Sequence, residues 1–277
     1  MAFVTTSDGV EIFYKDWGPK DARPIVFHHG WPLSSDEWDA QMLFFLNAGY
    51  RVVAHDRRGH GRSAQVPDHH DMNRYAADAA AVMDHLELRG AVHIGHAAGG
   101  SEVAAYVARY GIPLDRVVKA VLVSTALPLL ARSDRYPGGL PIDVLDGLRS
   151  GLAGNRAELF HCLASGPFYG FNRAGARILP AVIDNWHRQG MMGSAKAQCE
   201  GIKAFSETDQ TTDLAEMTVP TLVLHGDDDQ IVPVGNGRVL VEILPNATLN
   251  IYEGFSHGML TVNADVINAD LLSFIRA

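Results

Sequence analysis

Apolar residues follow two alternating rhythms along this chain. Val10, Ile12 and Tyr14 alternate with polar neighbours just after the turn signal Asp8-Gly9, the period-2 pattern of a strand. Pro24-Ile25-Val26-Phe27, Arg51-Val52-Val53-Ala54, Ala91-Val92-His93-Ile94 and Val117 to Val123 are short, nearly all-apolar runs, as expected of strands buried on both faces. Helical spacing fills the intervals. Ser34-Ser35-Asp36 can cap a helix with Trp38, Met42, Phe45 and Leu46 on one face, stopped by Gly49. A second helix is predicted from about Met72 to Leu88, and a third from the Gly-rich turn after Ile94 to Tyr110-Gly111. Strand and helix alternating at this pitch predict a parallel sheet covered on both faces.

The rhythm breaks after Ser124. Residues from about Leu127 to Phe205 hold no convincing strand and are rich in Gly, Pro, Asn and aromatic side chains. It resumes with a strand at Thr221-Leu222-Val223-Leu224, a helix near Asn236 to Leu244, a strand from Thr248 to Tyr252 and a helix from about Asp265 to Arg276. The pattern predicts a single domain, 1–277: an α/β core over 1–126 and 206–277, with a mostly parallel sheet of about eight strands, and a helical cap insertion over about 127–205.

Composition narrows the function classes. Hydrophobic residues are 47% and charged residues 20% of the 277, an ordinary globular balance. A core of this size buries about three quarters of the unfolded surface without a metal or disulfide staple. The net charge of −9 and the lack of any Lys/Arg run argue against nucleic acid. Cys162 and Cys199 read as buried free thiols of a reduced compartment. The N-terminus shows neither a basic nor an apolar leader region, and the apolar runs fall short of the roughly 18 to 20 residues a bilayer needs. A soluble, cytoplasmic protein is expected, with no membrane partner and self-association left open.

The chemistry concentrates in three places. Ile94-Gly95-His96-Ala97-Ala98-Gly99-Gly100 lies between a buried strand and a helix, the context of the G-x-S-x-G nucleophile elbow. There the central side chain is held clear above the sheet, and glycines flank it because larger side chains would collide. Here the central residue is Ala97. The segment Asp227-Asp228-Asp229 follows one late strand, and Gly254-Phe255-Ser256-His257-Gly258 follows the next. Elbow, then carboxylate, then histidine is the chain order of a triad in which an oriented histidine serves as general base. On the residues alone, any of the three aspartates can be the partner of His257.

The sequence resembles the cofactor-free (non-haem) haloperoxidase, perhydrolase and aryl esterase family of α/β-hydrolases. The resemblance spans essentially the whole chain. It rests on Phe13-Tyr14-Lys15-Asp16-Trp17-Gly18, His29-Gly30-Trp31-Pro32-Leu33, Asp56-Arg57-Arg58-Gly59-His60-Gly61-Arg62-Ser63, Gly166-Pro167-Phe168-Tyr169-Gly170, Ala204-Phe205-Ser206-Glu207-Thr208-Asp209 and the run from His225 to Pro233. By position it implies His257 as base, Asp229 as its acid partner, and the backbone N–H groups of Trp31 and Ala98 as the oxyanion hole. It implies small esters, lactones or carboxylic acids as substrates, with hydrogen peroxide as a further reactant, and neither cofactor nor metal. Pro32, Phe168, Trp186 and Met259 are the expected substrate-pocket residues. Proline restricts the residue before it, so the Trp31 carbonyl is expected to hold a set direction at this loop and to accept a hydrogen bond from peroxide.

The family pattern at the elbow reads Gly-His-Ser-Thr (or Met)-Gly-Gly-Gly, and this chain reads Gly-His-Ala-Ala-Gly-Gly-Ser. A methyl group cannot attack a carbonyl, so acyl transfer through an enzyme ester is expected to be closed at Ala97. Ser101 lies one turn into the following helix and is expected to point beneath the elbow. A lone serine-to-alanine replacement and a natural variant are both open, and the clustering of Ala97, Ala98 and Ser101 favours the variant. Such a variant would use the His257-Asp229 base for lyase or cofactor-free oxygenase chemistry, or would be a non-catalytic binding protein. His28-His29 cannot chelate one ion together, because strand neighbours point to opposite faces. His69-His70 reads as a surface cluster in a polar loop, and Gly59 and Gly61 as turn glycines.

Overall fold

The computed structural model describes residues 2–277. Eight strands form one sheet: β1 Ala2–Thr5, β2 Glu11–Trp17, β3 Pro24–His28, β4 Arg51–His55, β5 Ala91–His96, β6 Val117–Val123, β7 Thr221–Gly226 and β8 Ala247–Tyr252. Their order is β1-β2-β4-β3-β5-β6-β7-β8. The first two pairings, β1 with β2 and β2 with β4, are antiparallel, and the rest are parallel. The mostly parallel eight-stranded sheet expected from the periodicity is therefore present.

The helices are α1 Asp39–Asn47, α2 Met72–His85, α3 Ala98–Tyr106, α4 Ile142–Ser165, α5 Pro180–Met192, α6 Ala195–Ser206, α7 Thr211–Glu216, α8 Gly235–Ile243, α9 Met259–Val262 and α10 Ala264–Arg276. A 3-10 turn, Ser35–Trp38, precedes α1, and the Ser34 hydroxyl caps it by accepting from the Asp36 N–H. A π-helical turn, Val107–Gly111, continues α3 to the predicted stop. None of the helices among the described residues is long and apolar enough to cross a membrane.

The sheet carries a core on each face. Ile25 and Phe27 of β3 and Val52 and Ala54 of β4 pack with Trp38 from the 3-10 turn, Met42 and Phe45 from α1, and Ile267, Leu271 and Ile275 from α10. The intervening Val26 and Val53 face the other way, onto α2 and α3. Strands β3, β4, β5 and β7 are buried along their whole length, as parallel strands between two helical layers must be. A third cluster joins Leu33, Ala126 and Val232 from loops at the strands' carboxyl ends to Leu145, Phe160 and Trp186 of α4 and α5.

Two surface expectations are corrected. Cys162 is exposed on α4 and Cys199 half-buried on α6, so neither thiol is a core residue. His69 is exposed, but His70 is buried and its Nε2 donates to the Val66 carbonyl, which ties the loop down from inside.

Candidate active site

The turn from β5 into α3 pivots on Ala97, with φ 49° and ψ −116°, a conformation L-residues adopt rarely. Its N–H is held by the Val123 carbonyl at 2.9 Å, so the turn is pinned to β6. The flanking glycines are sterically required. A Cβ on Gly95 would lie 2.4 Å from the Gly99 carbonyl oxygen, one on Gly99 would lie 2.0 Å from the His28 carbonyl oxygen, and one on Gly100 would lie 2.1 Å from Thr125 Cγ2. Helix α3 therefore starts directly against β3. The Ala97 methyl is the side chain so presented, and it lines a cavity above the strand ends.

Asp229 and His257 meet at that cavity from the loops after β7 and β8. His257 Nδ1 donates to Asp229 Oδ2 at 2.8 Å. The other carboxylate oxygen accepts the Ile231 and Val232 N–H groups, both at 2.8 Å. His225 Nε2 stands 3.5 Å from Oδ2, and the Asp229 side chain is wholly buried. Burial opposes its charge, but His257 and His225 outweigh that and hold the carboxyl well below the usual range. For His257 burial prevails over the attraction of Asp229, so its imidazole is held below its ordinary value and is neutral near pH 7. Asp227 is exposed and accepts the Gly254 N–H, while Asp228 pairs with Arg173. Neither touches His257.

The cavity encloses about 240 Å³ and is almost wholly apolar. Trp31, Ala97, Ala98 and His257 line it together with apolar side chains such as Leu140, Leu148 and Phe205. The N–H groups of Trp31 and Ala98 take no acceptor within the chain among the described residues. The Trp31–Pro32 peptide is cis, and the Trp31 indole donates to the Gln198 carbonyl of α6 at 2.9 Å. Phe168 and Trp186 line the cavity. Pro32 and Met259 do not. Pro32 packs towards α5 near Gly190, and Met259 is fully buried in the core that includes Ile267 and Leu271 of α10. Ser101 is wholly buried with its hydroxyl unpartnered, and it does not line the cavity.

Two buried networks behind the site carry no sequence signal, because their members are scattered. Glu37, in the turn before α1, accepts from the Gly30 N–H at 2.7 Å and meets His96 Nδ1 at 2.5 Å. Glu102 of α3 meets His28 Nδ1 at 2.9 Å and His55 Nε2 at 2.6 Å, and it accepts from Arg57 Nε at 2.7 Å. His28, His55 and Glu102 have the spacing of a metal-ligand set, yet the carboxylate is already filled by three donors, one a guanidinium. Burial works against the Glu102 charge, but Arg57 and the histidines hold it ionised. Arg57 also donates to the His29 carbonyl at 2.9 Å, so this network supports the loop that carries Trp31.

Comparison with known proteins agrees with this architecture. Residues 23–264 match the family model described as alpha/beta hydrolase fold. The chain is 67% identical to a non-heme chloroperoxidase of Burkholderia pyrrocinia and 59% identical to a bifunctional esterase/perhydrolase of Acinetobacter calcoaceticus, each over the full length of both chains. Among solved structures, a bromoperoxidase from Bacillus anthracis superposes with a TM-score of 0.93 at 32% identity, covering 100% of this chain and 99% of its own. Sheet order, elbow glycines and full-length identity thus agree: the chain belongs to the α/β-hydrolase family, in its non-haem chloroperoxidase and esterase/perhydrolase branch.

Proposed function

We propose that this chain binds small esters, lactones or carboxylic acids at the Ala97 cavity and is nearly inactive in acyl transfer, because the elbow offers a methyl group where a nucleophile belongs. The observation carrying this reading is the intact frame around the defect. Ala97 keeps the rare elbow conformation, and His257 keeps a 2.8 Å bond to a fully buried Asp229. A substrate carbonyl oxygen accepts from the Trp31 and Ala98 N–H groups, and the apolar wall takes the acyl or aryl portion. With no nucleophilic side chain at the elbow, water attacks. Neutral His257 Nε2 takes a proton from it, the hydroxide adds to the carbonyl carbon, and the alcohol leaves with that proton. Hydrogen peroxide in place of water gives the peracid by the same proton path.

Loss of a triad nucleophile costs about 10⁶ in turnover, leaving roughly 10³ to 10⁴ over water from the remaining groups. Hydrolysis of a short activated ester by this protein and by Ala97→Ser tests the reading. Serine is expected to restore a burst and to raise turnover by several orders of magnitude. An inert serine form would overturn it and point to chemistry built on His257 and Asp229 alone, lyase or cofactor-free oxygenase, or to a pure binding role. The neighbouring departures at Ala98 and Ser101 favour that second reading.

A further inference from the structure

His96 precedes Ala97 and is buried, and both of its ring nitrogens face oxygen acceptors. Nδ1 lies 2.5 Å from the Glu37 carboxylate and Nε2 lies 3.1 Å from the His257 carbonyl oxygen. A neutral imidazole has one N–H and cannot donate to both. Glu37 uses its other oxygen for the Gly30 N–H, one residue before Trp31. One carboxylate and one ring therefore join three separate segments: the Trp31 loop, the elbow and the His257 loop. The His96 and His257 rings stand 4.8 Å apart, centre to centre.

We propose that Glu37 and His96 are positioning residues: a buried carboxylate–imidazolium pair that holds the Trp31 loop, the elbow and the His257 loop in register and keeps a fixed cation beside His257. The inference rests on the proposed acyl-transfer site for its purpose, but not for its geometry. The charged or titratable groups near the two rings are Glu37 before α1, His225 in β7, Asp229 after it, and Tyr169, which lines a small recess together with Glu37. Burial opposes the charge on His96, and Glu37 overcomes it, lifting this imidazole above its ordinary value. Its neighbour His257 is held below that value by burial, and His96 adds to the effect.

Ring ¹⁵N spectra of the protein as it stands test the pair without any turnover. His96 is expected to show two ring N–H protons and imidazolium shifts throughout pH 6 to 8. A single N–H at pH 7 would overturn the proposal, and this measurement needs no variant to fold. In Glu37→Gln the unsupported cation is expected to deprotonate near neutral pH, and the His257 midpoint to rise by about half a unit or more as its neighbouring charge vanishes. An unchanged or lower midpoint would count against the pair. With Ala97→Ser as the active parent, adding Glu37→Gln is expected to lower kcat at least tenfold, with KM within about twofold and the acid limb of the pH profile shifted up. Equal kcat in the two serine forms would refute the positioning role. An inert Ala97→Ser would remove the esterase reading and leave the charged pair to be decided by the spectra.

Discussion

Ala97 is a residue whose backbone is set by its neighbours against its own preference. A non-glycine residue at positive φ costs about 1 to 3 kcal/mol, and it persists only where the surroundings over-determine it. Those surroundings are the Val123 carbonyl holding its N–H and the glycines at 95, 99 and 100. Ala97→Gly should therefore stabilise the fold by about 1 kcal/mol, the released strain exceeding the extra chain entropy glycine brings to the unfolded state. Urea denaturation measures this. A loss of stability would mean the turn is unstrained and would weaken the view that the elbow frame is kept intact. His257 was legible in the sequence as the candidate base because it lies in a short glycine-flanked loop after a strand. Choosing Asp229 over Asp227 and Asp228 required the family resemblance, since the spacing allows all three. The structure brings Asp229 alone to His257, because the turn after β7 directs the other two to Gly254 and Arg173.

At the scale of elements, the site depends on how closely α3 approaches β3. The Gly99 Cα faces the His28 carbonyl, and an added methyl would overlap it at 2.0 Å against backbone that cannot yield. Gly99→Ala should cost about 3 kcal/mol or more, at or beyond the usual range for overpacking. Gly147, exposed inside α4 with no atom within 4 Å of an added Cβ, is the control, and Gly147→Ala should stabilise by about 0.5 to 1 kcal/mol. Thermal melting of the two variants checks both signs. Equal effects would contradict the tight α3–β3 contact. Element positions were well predicted wherever apolar period and caps agreed, as at Ser34 and Gly49 around α1. The pocket was harder. Aromatic side chains in a helical segment satisfy core packing and cavity lining equally well, and of the four residues expected at a pocket Phe168 and Trp186 line the cavity while Pro32 and Met259 do not.

At the scale of the whole molecule, the wealth of buried histidine makes the fold acid-sensitive. His28, His29, His60 and His93 are pushed below the ordinary imidazole value by burial, His60 to about 3. Each binds its proton more readily in the unfolded chain than in the folded one. Their contribution is complete above the unfolded value near 6.5 and is lost as pH falls towards the folded values, at up to about 1.4 kcal/mol per pH unit for each. His96 has the opposite sign, since its imidazole is raised, but it stands against these four and against His70 and His257, which burial also lowers. The melting temperature should therefore drop markedly between pH 7.5 and 5.5, well before carboxylates titrate. A flat profile across that window would show that these histidines are not held neutral in the fold.

The sequence by itself determined the α/β class, the core strands and their main helices, the glycine-flanked turn with Ala97 at its centre, and the place of His257 in a loop after a strand. These are local matters: apolar period, turn chemistry and a short motif each lie within a few residues. The tertiary structure alone decided the strand order, the partner of His257, the shape of the cavity and the pairing of Glu37 with His96. The physical reason is reach. Glu37 and His96 stand 59 positions apart, and Glu102 lies 74 from His28. Only the packing of a parallel sheet, whose carboxyl ends gather loops from distant segments, brings such groups within hydrogen-bonding distance and removes the water that would otherwise weaken them.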